Sequence, residues 1–376
     1  MDVSKGIVIV GGGLAGLTAG IHLSKIGIRA VLIEKNEYPK HKVCGEYISN
    51  EILPYLKWLS IDISELKPVT ISKLDFSMPD GKIIHCDLPL GGFGVSRYAL
   101  DNFLYNKAIQ SGCQIIRDVV EDITYENDVF TITAKNRTIQ SGIVIGAFGK
   151  RSNMDQKLKR EFVSKKSYWL AVKAHYAGDF PNNLVGLHNF EDGYCGVSKV
   201  ENDAINVCYL ASYASFKKYK GIEDFQNQAV SKNPHLKFIF DNFQMIFESP
   251  LTISQVSFNT KNTIDNHILM IGDTAGLIHP LCGNGMAMAI HSAKIVSELI
   301  VKFHSKEIQS REQLERIYKA EWDKNFKKRL RMGRVLAFIF QKQKLCNIFM
   351  NILIKFPKLL PIIIKQTHGK FVAVSN

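Results

Sequence analysis

Residues 6 to 35 read GIVIVGGGLAGLTAGIHLSKIGIRAVLIEK, and this stretch restricts the fold more than any other in the chain. Ile7 to Val10 is a continuous β-branched run, the pattern of a strand buried on both faces of a parallel sheet. Gly11, Gly13 and Gly16 follow as G-x-G-x-x-G. The first glycine permits a tight turn, the second lets a pyrophosphate approach the backbone, and the third lets helix and strand pack closely. A helix opening at Leu14 and Ala15 offers free N–H groups and a positive dipole end to phosphates. AVLIE (30–34) forms the second strand. Glu34, with Lys35 beside it, stands where an acid accepts hydrogen bonds from a ribose hydroxyl. Strand, turn, helix, strand and acid agree on a dinucleotide site. The acid disfavours a 2′-phosphate, so FAD or NAD fits better than NADP.

The chain has 376 residues, room for this unit and an inserted sheet, and its 46% hydrophobic and 22% charged content is that of a globular protein. Seven cysteines are scattered, odd in number and without a C-x-x-C pair. That pattern disfavours a disulfide framework and a zinc site and suits a reducing cytosol. The eleven histidines contain no H-x-x-x-H, so no metal site is expected. The apolar run at 7–10 is too short for a signal peptide, and no unbroken run is long enough to span a bilayer.

The net charge of +13 is localised. After Asp323 there is no acidic residue, whereas residues 324–376 carry twelve Lys and Arg; the rest of the chain is nearly neutral. From Val335 the text becomes greasier, ending in CNIFMNILIKFPKLLPIIIK, with Pro357 and Pro361 breaking any single long helix. Two explanations stay open: docking of residues 324–376 on an anionic membrane surface, or a helical pair closing over a cavity. Both imply a lipophilic substrate. Nucleic acid is not the expected partner, because no nucleic-acid motif accompanies the charge. The expected location is cytoplasmic, with peripheral attachment to the inner face of a membrane left open.

HILMIGDTAGLIHPLCGNG (267–285) repeats the strand-then-loop pattern. At this point the chain resembles the flavoprotein superfamily with the p-hydroxybenzoate hydroxylase fold. The resemblance implies FAD: Gly272-Asp273 would bond the ribityl chain, and the loop through Pro280, Gly283, Asn284, Gly285 and Met286 would lie along the flavin ring. The helix from about Asn284 would aim its positive end at the ring edge where charge collects on reduction. VSRYALDNFL (95–104) is similar to the family's arginine-bearing helix, giving Arg97 a place near the flavin linker. IVIGAFGKRSN (143–153) is similar to G-A-D-G-x-x-S, with Gly149 in register and Phe148 in place of the aspartate, a departure that bears on ordinary NAD(P)H use.

HKVCGEYISNEIL (41–53) resembles the geranylgeranyl reductase branch, where the cysteine faces flavin and substrate. Cys44 and Glu46 are therefore the catalytic candidates. Glu46 could position Cys44, donate a proton or cap a helix. The β-rich segment at 161–261 is expected to cover the flavin, which makes Trp169, His175, Tyr176, His188, Tyr194 and Cys195 candidates for cavity lining, with Cys282 opposite Cys44. In that branch G-Y-x-W often marks this sheet; GYCGV is expected to carry Cys195 where the tryptophan stands. Flavin-dependent halogenases share the fold but carry W-x-W-x-I-P. Trp58, Trp169 and Trp322 are isolated, which speaks against halogenation.

The expected fold is α/β: a Rossmann-like FAD-binding domain of glutathione reductase type 2 in two parts (1–160 and 262–310), an inserted antiparallel β-sheet substrate domain (161–261) and a C-terminal helical tail (311–376). The expected activity is FAD-dependent oxidation–reduction of a lipophilic small molecule, foremost reduction of a C=C bond. The alternatives are mono-oxygenation of an aromatic, quinone-like or polyketide substrate, and lipid or partner binding without turnover. With one G-x-G-x-x-G in the chain, the reductant is expected to be transient NAD(P)H or a separate electron donor.

Overall fold

A computed structural model describes residues 6–165 and 168–374. Ser167, within the expected β-rich segment 161–261, and the last two residues of the tail lie outside them. Ile7–Val10 is central to a six-stranded sheet. It pairs in parallel with Ala30–Glu34 on one side and Ile143–Gly146 on the other. Gln114–Arg117 and Ile268–Met270 extend the parallel array, and Ile264–Asp265 adds an antiparallel edge. Parallel strands share one carboxyl edge, so segments far apart in sequence, those beginning at Gly11, Glu34, Ala147 and Ile271, emerge together there. That edge is the usual ligand crevice of such a sheet.

The helix Leu14–Lys25 is buried from Leu14 to Leu23, between the sheet and the helix Gly285–His304. Gly16 permits that close approach: a Cβ there would stand 1.9 Å from the Gly11 carbonyl oxygen.

The second sheet has nine strands and departs from expectation. It is not confined to 161–261: Tyr47–Ser49, Val69–Ser77 and Ile83–Gly94 from the first segment belong to it. Nor is it purely antiparallel, because Leu184–Phe190 runs parallel to Val69–Ser77. Strands this far apart in sequence pair without a hairpin between them, so no local turn signal announces the contact. Trp169–Ala177, Gly193–Lys199 and Ile205–Ser212 form antiparallel ladders as expected, and the short strands Gln244–Met245 and Leu251–Ser254 both pair antiparallel with Trp169–Ala177.

Side-chain alternation gives this sheet two distinct faces. Leu170, Val172, Ala174 and Tyr176 join Ile205, Val207, Tyr209 and Ala211 in a core backed by short helices around Phe225, Leu236 and Ile239. The intervening residues face the nucleotide domain. The tail runs through Arg311–Trp322, a π-helical turn at Asp323–Lys327, and three further helices: Lys328–Gln341, Gln343–Lys355 and Leu359–Thr367. Tyr318 and Trp322 anchor it, the Tyr318 hydroxyl donating to the Met270 carbonyl.

Candidate functional site

One cavity of about 690 Å³ joins the carboxyl edge of the parallel sheet, the inner face of the nine-stranded sheet and the tail. Gly11, Gly13, Leu14, Ala15, Glu34 and Lys35 line it from the first βαβ unit. Arg97, Gly149, Gly272, Asp273, Pro280, Gly283, Asn284, Gly285 and Met286 line it from the other segments. Gly16 does not, being turned into the helix–strand contact described above. Gly11 adopts φ +109°, open to glycine, and a Cβ there would meet the Ala147 carbonyl at 2.2 Å. Glu34 accepts from Gly12 N–H at 2.6 Å with one oxygen and from Asn36 with the other, which fixes the carboxylate at the strand end. Tyr38 donates its hydroxyl to the Gly12 carbonyl and stacks on Tyr105.

Arg97 opens the helix Arg97–Gln110 and forks onto Asp101 at 2.7 and 2.8 Å. Lys42 also meets Asp101, at 2.7 Å. The carboxylate thereby holds both cations in place beside the glycine turn.

The loop carrying Cys44 is pinned along its backbone. Lys173 donates to the Lys42 carbonyl, Lys150 to that of Val43 and Asn206 to that of Cys44. Glu46, at φ +55°, ends the loop. Its carboxylate is fully buried, 2.5 Å from Lys173 Nζ and 2.7 Å from His175 Nε2, and it accepts from the Arg97 N–H at 2.6 Å. Burial by itself would raise its pKa, but the His175 hydrogen bond and the Lys173 ammonium outweigh it and hold the carboxyl below its usual range. Of the three roles open to Glu46, its contacts with Lys173, His175 and the Arg97 N–H favour anchoring the loop that carries Cys44.

The pleat decides the remaining candidates. Tyr194 faces the cavity, and Cys282 lines it too. Cys195, one residue on from Tyr194, points into the opposite core and is fully buried there. Counted from Gly193, the G-Y-x-W register places the tryptophan at Gly196, not at Cys195. Gly196 lines the cavity and sits opposite Cys208, which lines it as well. His175 lies behind the lining, on Glu46, and Trp169 packs against Phe258 and His279. Tyr176 belongs to the opposite core, and His188 is buried against Ser77. Burial pushes the thiols of Cys208 and Cys282 up to about 12, so both stay protonated at neutral pH.

The tail forms the roof. Leu336 and Phe340 from its first helix, Phe349 and Leu353 from the second, and Leu360, Ile363 and Ile364 from the third all line the cavity. Glu51 fastens it: its carboxylate takes Arg329 at 2.9 Å and the Gly369 N–H at 2.5 Å, and reaches Asn284 at 3.2 Å. Its backbone carbonyl accepts from Val372 N–H at 2.8 Å. The tail thus closes over the cavity, which is one of the two explanations for it.

The sequence model for an FAD binding domain matches residues 5–70. A digeranylgeranylglycerophospholipid reductase of Methanococcus vannielii is 26% identical over 347 residues, 87% of this chain and 84% of its own. Among solved structures, the flavin-dependent brominase Bmp2 superposes with TM-score 0.79 at 17% identity, over 96% of this chain and 92% of its own. A geranylgeranyl bacteriochlorophyll reductase-like protein of Thermoplasma acidophilum gives 0.73 at 19%, covering 97% and 93%. The chain is an FAD-dependent oxidoreductase. Its fold is the p-hydroxybenzoate hydroxylase type, with sequence likeness to the geranylgeranyl reductase branch; the brominase shares that fold.

The flavoprotein's residues fit the cofactor. A Cβ on Gly45 would meet nothing within 4 Å, and one on Gly13 only Arg97 Nη2 at 3.9 Å, so the bare backbone at these two positions is not a packing requirement; Gly149, at φ +86°, needs glycine for its backbone conformation. The helix Gly285–His304 has no acidic residue in its first turn and no side-chain cap, leaving its positive end available to an electron-rich ring edge. Asn284 Oδ1 is a buried acceptor without a protein partner. FAD held by these groups would span from Glu34 to the loop at 280–286.

Lys150, Lys173, Asn206, Cys208 and Glu51 escaped the sequence reasoning. Lys173 and His175 alternate with Val172, Ala174 and Tyr176, a polar stripe within an otherwise apolar strand that could have exposed them. Glu51 carries no such signal, since its partners lie 233 to 318 residues away.

Proposed function

We propose that this oxidoreductase reduces C=C bonds in a lipid carrying an isoprenoid-type chain. The carrying observation is the roof: a cradle fit for FAD opens without a partition into a chamber lined by the aliphatic and aromatic side chains of the tail. A flexible apolar chain is the substrate that gains most from such walls, at about 25 cal/mol per Å² of apolar surface removed from water. The named likeness to an archaeal phospholipid reductase supports the same substrate class.

Bound FAD, once reduced by visiting NAD(P)H or a separate carrier, would supply hydride to one alkene carbon. The second carbon needs a proton, and the Cys44 thiol is the candidate: Sγ–H breaks as C–H forms, and solvent restores the thiol. The pinned carbonyls of Lys42, Val43 and Cys44 hold that residue in one place, and the Glu46 carboxylate keeps Lys173 and His175 locked beneath it. The apolar roof would limit water on the side where the chain lies, which favours transfer of reducing equivalents to the substrate.

The test uses flavin-loaded protein, reduced without oxygen and mixed with a polyunsaturated prenyl lipid. Return of the oxidised flavin spectrum together with a product heavier by two hydrogens is expected. Cys44→Ala should slow that step while leaving lipid binding intact. Substrate-dependent oxygen uptake with an oxygenated product would instead establish a mono-oxygenase. Absence of turnover with prenyl lipids would reject the proposal.

A further inference from the structure

The three tail helices are apolar on two sides. Their inner sides line the cavity through residues such as Phe349, Leu353 and Ile364. Their outer sides leave Phe338, Ile348, Ile352, Phe356 and Ile362 between 45% and 58% exposed. On the second helix Leu345, Ile348 and Ile352 recur every three or four residues, so the outer stripe is continuous rather than scattered. Basic residues are interleaved with it: Arg331, Arg334, Lys342, Lys344, Lys355 and Lys358 are all exposed. Among the described residues none of these six forms an ion pair, and the chain has no acidic residue beyond Asp323 to offer one.

We infer that this outer face docks on an anionic lipid bilayer. Charge complementarity selects the occupant. A second copy would set one uniformly basic face against another. An anionic bilayer answers both properties at once: phosphates take the lysines and arginines, while the apolar side chains enter the acyl boundary. The helices lie in the interface and do not cross it. No single helix among the described residues is long and apolar enough to span; Lys344–Lys355 and Leu359–Thr367 together have the apolar length of a span, but they are bent by 120° and their inner sides line the cavity. Docked this way, the cavity roof sits directly on the hydrocarbon, and an apolar chain passes from bilayer to cavity without crossing water. The inference stands independently of the reaction proposed above.

Flotation of the flavin-loaded protein with vesicles tests it. Vesicles of phosphatidylcholine alone are compared with vesicles containing phosphatidylglycerol. The protein should float with the acidic vesicles and be released as salt is raised. Combined Lys344→Gln, Lys355→Gln and Lys358→Gln changes should weaken that binding about a hundredfold. Combined Ile348→Ser, Ile352→Ser and Ile362→Ser changes should weaken binding to both vesicle types, with flavin content unchanged. If the serine set loses flavin, the exposed lysine set decides alone. Failure to float, equal binding to both compositions, or wild-type binding by the lysine set would overturn the inference. So would concentration-dependent self-association abolished by the same substitutions, which would assign the face to a second copy.

Discussion

Glu46→Gln isolates the anchor beneath the Cys44 loop. The substitution keeps the shape but removes the carboxylate that meets Lys173 at 2.5 Å and His175 at 2.7 Å, and both members of the Lys173–Glu46 pair are fully buried. Breaking a buried pair from one side costs about 3–5 kcal/mol, because the remaining charge is left unpaired in a poorly solvating site. Unfolding entropy of about 2.1 cal/mol/K per residue gives roughly 0.8 kcal/mol/K for a chain of 376 residues. The melting temperature should therefore fall by about 4–6 °C. Lys173→Met added to Glu46→Gln removes the stranded charge and should recover most of the loss, leaving a coupling energy of about 2–3 kcal/mol in the double-mutant cycle. Thermal and denaturant melts of the flavin-loaded proteins at neutral pH measure all four corners. The sign with pH is also set. The Glu46 pKa is depressed by folding, so its contribution is present above the ordinary value of 4.5 and is lost as pH falls through the lower folded value. The gap between wild type and Glu46→Gln should be constant near neutrality and close in acid. A Glu46→Gln protein that melts with the wild type, or a double variant no better than the single, would refute the anchoring role.

Gly13→Val should leave the apo fold intact, since a Cβ there meets only Arg97 Nη2 at 3.9 Å, yet lower FAD affinity at least about a hundredfold by blocking the pyrophosphate; equilibrium titration and apo melting read the two effects separately. Gly196→Trp would extend into the cavity, where a Cβ makes ordinary contacts at 3.7 Å. It should retain flavin while raising KM for long prenyl chains more than for short ones. Arg329→Met removes the cation that holds Glu51 at 2.9 Å and should loosen the closing tail, read as faster proteolysis after Lys355 and Lys358 with the nucleotide domain still resistant.

The nucleotide half was legible because its signals are local. Ile7–Val10, the three glycines and Glu34 each state a requirement within one βαβ unit, and parallel pairing then brings the later motifs to the same edge. The substrate half was legible only in part, and the pleat explains where reasoning failed. Tyr194 and Cys195 are neighbours in sequence yet occupy opposite faces, and nothing in GYCGV alone states which face is inward. The register with Ile205–Ser212 decides it, setting Gly196 opposite Cys208. Likewise the parallel partnership of Leu184–Phe190 with Val69–Ser77 has no turn to advertise it.

Glu51 shows the same limit in its strongest form, and it also changes what the tail means. One buried carboxylate holds the tail through Arg329 and Gly369 and reaches Asn284, the residue that opens the helix facing the flavin cradle. Roof and cofactor loop are thus fastened to a single group, so the order of the tail and the order of the flavin loop are energetically linked. A tail that only decorated the surface would need no such tie. A tail that closes over the cofactor cradle gains from sharing its latch with the loop that would orient the flavin.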